Sequence, residues 1–230
     1  MLRELLSIFR ANEPLAEMGQ NFAAMLSLTQ QMTIQAGEVF FRMDATPEER
    51  TALFKRDVQV NKLERAIRKQ VIAHLSISGN RASLPYCLLL VSLVKDVERI
   101  GDYTKNLAEA PEYYEGPLPD DATIAELREI RSGVETAFAA TSAVFEASDR
   151  ERTLVLIRQG RDLTHRCDLL VERISRGDYP ASLTTATVLG ARYYKRIAAH
   201  ILNVLSSVVM PLHKLDYYDE SELEEDDSET

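Results

Sequence analysis

Tryptophan is absent from this chain, cysteine occurs twice and glycine only nine times in 230 residues. Each scarcity excludes something. Cys87 and Cys167 are too few for a disulfide framework and are not spaced as a metal-binding pair. Both fall in helical apolar patterns, where a cysteine ordinarily serves as a small core side chain. So little glycine leaves no phosphate-cradling loop, and Ser78-Gly79-Asn80 reads as a plain turn. No nucleophile elbow or clustered Ser/His/Asp set is visible, so no catalytic function is expected. Long apolar runs are missing too. The longest, 84–94, has 11 residues, against roughly 20 needed to cross a bilayer. The opening residues show no basic region followed by an apolar core and cleavage site, and with no disulfide framework implied a protein of the reducing cytoplasm is expected. Met1 to Phe9 reads as a short amphipathic piece, with packing on a bundle end expected ahead of a membrane-surface role.

A basic surplus is also lacking. The formal net charge is −9, and nine of the 36 acidic residues lie in 216–230, a stretch without Lys or Arg. The remaining 27 acids balance the 27 Lys and Arg of 1–215. Nucleic-acid binding is therefore not expected, because nothing is left over to neutralise phosphates. The tail repels itself and has almost nothing to bury, so it is expected to be disordered, and it reads as a solubilising tail before a docking arm.

What is present is helical periodicity. Leu15, Met18, Phe22, Met25, Leu26, Thr29, Met32 and Ala36 predict a first helix from about Pro14 to Arg42. Thr46-Pro47-Glu48-Glu49 reads as a capping box with proline at the first helical position. The second helix should run from there to about Ser78 and the third from about Ala82 to Glu109. Three of the eight prolines, with Gly116, interrupt the pattern between Pro111 and Pro119. Three more helices follow, at about Asp121 to Ala147, on to Ser175, and Ala181 to about His213. The expected fold is all-α, as two pseudo-repeated antiparallel three-helix bundles in tandem. Their predicted extents are 1–115 and 116–215, with 216–230 as the acidic tail.

The third helix carries the most informative residues. Leu84, Cys87, Val91 and Val94 form an apolar stripe whose continuation lands on Glu98 and Asp102. Two carboxylates one turn apart repel, and burying them unpaired is costly. A positive charge is needed beside them. Three sources are open: a metal cation, salt bridges from Lys95, Arg99 and Lys105, or solvent on an outward-turned face. Short connections make the helices antiparallel. Counting back from the turn near Asn80 sets Asp57 opposite Asp102 and Asn61 opposite Glu98. That gathers oxygen donors from two helices, as hard cations require.

The segment Glu98-Arg99-Ile100-Gly101-Asp102, with Asn106, Leu107, Ala108 and Glu109 after it, closely resembles the signature of the PhoU family. Asp57 to Glu64 also looks like that family's second helix. The resemblance spans about 5–215 and is weaker in the second half. It implies two tandem three-helix bundles with multinuclear metal sites on the motif faces. It also implies a non-enzymatic role in negative control of phosphate uptake, exerted on a transporter component or a sensor kinase. Glu98 and Asp102 would then be metal ligands, with Asp57 and Asn61 as helpers. The metal would be a divalent or transition ion such as iron, zinc, manganese or magnesium. A homodimer, and peripheral membrane association through a partner, stay open. The rivals are an accessory subunit of another ion or phosphate transporter and an iron-carboxylate helical enzyme.

In the second half, aligning Arg196-Ile197 with Arg99-Ile100 puts Lys195 in place of Glu98 and Ala199 in place of Asp102. Asn203 matches Asn106. Asp162 matches Asp57, and Arg166 falls where Asn61 lies. A metal site cannot survive on Lys and Ala, so any metal is expected in the first bundle alone. The same antiparallel counting predicts a salt bridge from Asp162 to Lys195 or Arg196. Tyr193 and Tyr194 read as core. Asp162, His165 and His200 lack the paired Glu-x-x-His helices that di-iron chemistry needs.

Overall fold

The computed structural model describes residues 13–215, and six long helices make up most of them. They are α1 (Glu13–Arg42), α2 (Pro47–Leu75), α3 (Leu84–Glu109), α4 (Ala122–Ala147), α5 (Arg150–Ser175) and α6 (Ala181–Val209). Short 3-10 turns occupy Asn80–Ser83, Ala110–Tyr113 and Leu212–Lys214. The architecture is all-α, with no strand among the described residues: two antiparallel three-helix bundles in tandem, as the periodicity predicts. The amphipathic N-terminal piece and the acidic tail lie outside the described residues.

Local chemistry sets the helix ends. The Thr46 hydroxyl accepts from the Glu49 amide at 3.2 Å, and the Glu49 carboxylate accepts from the Thr46 amide at 2.9 Å. That is the predicted capping box, with Pro47 just inside. The fourth and fifth helices are joined by a two-residue link. Ser148 closes α4 in a left-handed conformation with φ of 50°, and the Asp149 carboxylate caps α5 by accepting from the Arg152 amide at 3.0 Å. At α4, the Asp121 carboxylate accepts from the amides of Thr123 and Ile124 at 2.9 and 3.0 Å, and Tyr179 donates to its other oxygen at 2.5 Å. The sixth helix stops at Val209, short of the predicted His213. Met210 is extended, with ψ of 151°, because the ring of Pro211 disfavours a helical conformation in the residue before it.

The two bundles share one apolar core, which takes buried side chains from all six helices. Every member of the predicted α1 stripe is buried. At the seam, α1 meets α4 through Phe22 and Phe145, whose ring centres are 5.3 Å apart. It meets α6 through Phe40, which fills the space a side chain at Gly190 would take. α3 runs antiparallel to α6: Asp96 pairs with His200 and Asn203, and Tyr103 lies by Tyr193. Tyr194 is fully buried, as expected of core, whereas Tyr193 is half-buried at the seam.

Candidate functional site

The buried face of α3 runs through Leu90, Val94, Val97, Ile100, Thr104 and Leu107. The predicted stripe lies along its edge: Cys87 and Val94 are buried, Val91 is half-buried and Leu84 is 44% exposed. Glu98 and Asp102 therefore stand on the rim of the core, with side chains 13% and 30% exposed. That position leaves room for counter-charges, and three side chains supply them. Lys95 reaches Glu98 at 2.6 Å, and Arg99 lies 3.2 Å from Asp102 and 3.9 Å from Glu98. Lys105 lies 3.3 Å from Asp102 and 3.0 Å from Asp57 on α2.

Asp57 is thus brought opposite Asp102, as the antiparallel count predicts, and the Lys105 ammonium bridges them. The Asp57 carboxylate rests against α3, 3.7 Å from where a Cβ on Gly101 would stand. Asn61 lies on the same rim but donates to Asp57 at 3.2 Å rather than to Glu98. In the core, the buried hydroxyls of Thr33 on α1 and Thr104 on α3 are in contact at 3.3 Å. Burial pulls the Lys105 ammonium toward deprotonation. The hydrogen bonds and charges of Asp57 and Asp102 outweigh that and hold it above the ordinary lysine value. Lys105 is a fixed cation at the centre of an acidic ridge.

The donor chemistry bears on the metal that the family resemblance implies. Among the described residues, no three His, Cys, Asp or Glu side chains draw together as a metal-holding group. Glu98 is turned to Lys95, and the gap between Asp57 and Asp102 holds an ammonium. As arranged here, the carboxylates of the ridge are neutralised by the ammonium and guanidinium groups of Lys95, Arg99 and Lys105.

The second bundle departs from expectation. Asp162 does not meet Lys195 or Arg196; its carboxylate is exposed and lies 4.0 Å from Arg166, one turn along its own helix. Lys195 pairs with Asp168, and Arg192 approaches the same carboxylate at 3.5 Å. The reason is directional. A side chain on a helix leans toward the N-terminus, so Lys195 reaches back toward the α5–α6 turn and meets a residue six positions later than the Cα count suggests. Arg166, at the Asn61 position, turns to α4 and binds Glu126 and Glu129 at 2.7 and 2.8 Å.

One polar cluster went unread in the sequence. Asp96 is buried between α3 and α6, where its carboxylate is 2.8 Å from His200 Nδ1 and accepts from Asn203 Nδ2 at 2.8 Å. His200 stacks on Tyr103 at 5.6 Å. An acid between Val94 and Val97 in an apolar face was the available signal. Asp162 and His165 are exposed on α5, whereas His200 pairs with Asp96 of α3. A cavity of about 300 Å³, lined by Gly19, Phe22, Tyr86 and Phe145 among others, lies toward the other end of α3 and is separate from the ridge.

Residues 22–110 match the family model described as the PhoU domain. The match falls within the first bundle, α1 to α3. The likeness of fold extends further. PhoU from Pseudomonas aeruginosa superposes with a TM-score of 0.75 at 20% identity, covering 88% of this chain and 98% of that one. The phosphate transport system regulatory protein PhoU from Streptococcus pneumoniae superposes at 0.74 with 16% identity, covering 84% and 92%. No curated protein matches the sequence. No helix among the described residues is long and apolar enough to cross a membrane.

Proposed function

We propose that this chain is a non-enzymatic regulator of phosphate uptake or phosphate signalling, acting by association with a transporter component or a sensor kinase in the cytoplasm. The match of 22–110 to the PhoU domain is the observation that carries the reading. The whole-length likeness to a phosphate transport system regulatory protein supports it. The paired charges of the ridge suit a docking body better than a reaction centre, since Glu98, Asp102 and Asp57 each have a basic partner. Under the same reading, Asp57, Glu98 and Asp102, with the Asn61 amide, are the oxygen donors a divalent or transition metal ion would use. Lys105 is the ammonium such an ion would have to displace.

The test is capture from the native host with the full chain as bait, together with phosphate uptake in a strain lacking it. Recovery of a transporter ATPase or a phosphate-responsive kinase, with uptake misregulated, supports the reading. Recovery of neither, with uptake unchanged, rejects it. Elemental analysis of purified protein decides the metal separately: Glu98→Ala with Asp102→Ala should remove any stoichiometric metal, and undiminished metal in that variant would reject these ligands.

A further inference from the structure

Among the described residues, the outward face of α2 stands apart from the other long helix faces. Between Thr51 and Ser76 its exposed positions include Lys55, Lys62, Arg65 and Lys69 and not one acid. Phe54 and Ile72, 63% and 68% exposed, bracket these four bases. None of the four forms an ion pair among the described residues. The matching helix of the second bundle differs: the exposed face of α5 mixes its arginines with Glu151, Asp162, Asp168 and Glu172. The α2 bases follow helical spacing along one side and span about 21 Å from Lys55 to Lys69 at about 1.5 Å per residue. A concentrated, unpaired positive stripe with an apolar residue near each end is a surface waiting for an acidic, partly apolar segment.

The chain contains such a segment. Residues 216–230 hold nine Asp or Glu and no Lys or Arg, with Tyr217, Tyr218 and Leu223 as the apolar members. Topology places its start favourably. Leu215, the last described residue, is buried just beyond α6. α6 runs antiparallel to α3, so its C-terminal end lies beside the N-terminal end of α3, which is also where α2 finishes. Fifteen residues reach up to about 50 Å when extended, well over twice the length of the stripe. The direction agrees as well: a tail entering at the Ile72 end meets Lys69, Arg65, Lys62 and Lys55 in turn.

We propose that the acidic tail of this chain docks on the basic outward face of α2 and shields it from other acidic partners. The contact is electrostatic and solvent-exposed, so it is salt-sensitive, with charges screened beyond about 10 Å at 0.1 M salt and about 3 Å at 1 M. Tethering compensates for weak individual pairs, because a short flexible link gives an effective concentration on the order of millimolar. The inference is independent of the regulatory reading above.

Zero-length carbodiimide cross-linking of the full chain, read by peptide mass spectrometry, tests it. A mixture of isotope-labelled and unlabelled chains separates links within a chain from links between chains. The expected result is intrachain amide links from tail carboxylates to Lys55, Lys62 and Lys69, several-fold above those to Lys95, Lys105 and Lys195. They should vanish in 1 M salt. Arg65→Glu leaves the linking lysines in place and should lower the yield at Lys62 and Lys69 several-fold. Links spread evenly over the lysines, links found only between chains, or links indifferent to salt and to Arg65→Glu overturn the proposal. So does anionic-vesicle binding through the α2 bases that is unchanged when the nine tail acids are replaced by Asn and Gln, which would give the face to a lipid surface.

Discussion

The rims between α2 and α3 and between α5 and α6 occupy matching places in the two bundles, yet their charges run opposite ways. In the first, carboxylates stand on both helices, and a lysine of α3 lies between Asp57 and Asp102. In the second, the bases stand on α6 and a single acid, Asp168, answers them from α5. The apolar stripes that make the bundles are alike; the rim charges are not. Burial sets the fold because it rewards any apolar side chain at the right period. Rim charges contribute little to that, so they can be exchanged without changing the architecture. The difference that counts is depth. Asp57 is 6% exposed and held by Lys105, whereas Asp168 is 46% exposed.

The sharpest way to break the comparison is at the seam. If the bundles were separate units, a change at their interface would leave each intact. With a shared core it should destabilise both at once. A Cβ on Gly190 would stand 2.3 Å from the Phe40 ring. Gly190→Ala should therefore cost about 1–3 kcal/mol by overpacking, and Phe40→Ala about 3–5 kcal/mol by leaving a cavity. Calorimetry should show one transition in each variant, at lower temperature. Two separate transitions would mean that the bundles melt independently.

The rims themselves come next. Lys105→Ala leaves the buried Asp57 carboxylate with only Asn61 and should cost about 1–3 kcal/mol, the penalty of an unsatisfied buried group. Lys195→Ala removes a half-exposed pair and should cost about 0–1 kcal/mol. Denaturant midpoints of the two variants measure the contrast, and equal losses would erase it. Asp96→Ala should resemble the first: it strips His200 and Asn203 of their acceptor and should also cost about 1–3 kcal/mol.

These cases show where the sequence was legible. Helix placement, the capping box at Thr46 and the interruption at Pro111 to Pro119 are local, and local spacing and turn chemistry carry them. The approach of Asp57 to Asp102 was also legible, because antiparallel counting from a short turn is good to about one helical turn. The Asp162 to Lys195 pairing missed by more than that, because Asp168 lies six positions further on. Counting Cα positions ignores the lean of a long side chain, which took Lys195 to Asp168. Asp96 was lost for a different reason. Its partners lie on α6, more than 100 positions away, and no local pattern announces a contact between bundles. At Glu98 and Asp102 the spacing allowed contacts from Lys95, Arg99 and Lys105 but could not say which acid each base would meet.

A smaller effect is expected at the start of α4, where the first bundle hands over to the second. Asp121→Ala should cost about 1 kcal/mol, as loss of an N-cap does. The same residue gives a pH test. Burial raises the Asp121 pKa, but the Tyr179 hydroxyl and the amides of Ile124 and Thr123 together hold it below the ordinary aspartate value. A carboxyl with a depressed folded-state pKa stabilises above its unfolded value, about 3.9, and loses that contribution as the pH falls through the folded value. Wild type and Asp121→Ala should thus differ most at neutral pH and converge in acid below pH 4. A constant difference across that range would mean that the carboxylate charge plays no part in the cap.

The smallest effect should come from removing 216–230. The segment holds nine acidic residues and three apolar ones, so it offers little area to bury. Its docking on α2 joins exposed groups, and such contacts change stability by about 0.5 kcal/mol or less. The melting temperature should therefore stay within a few degrees of the full chain's, at low salt and high salt alike. Docking and folding separate here: the tail can cover the α2 face without holding the helices together, because the bases it covers take no part in the core. A drop of ten degrees would mean that the tail buries apolar surface with Phe54 or Ile72. Then α2 would be unlike α5 in packing as well as in charge.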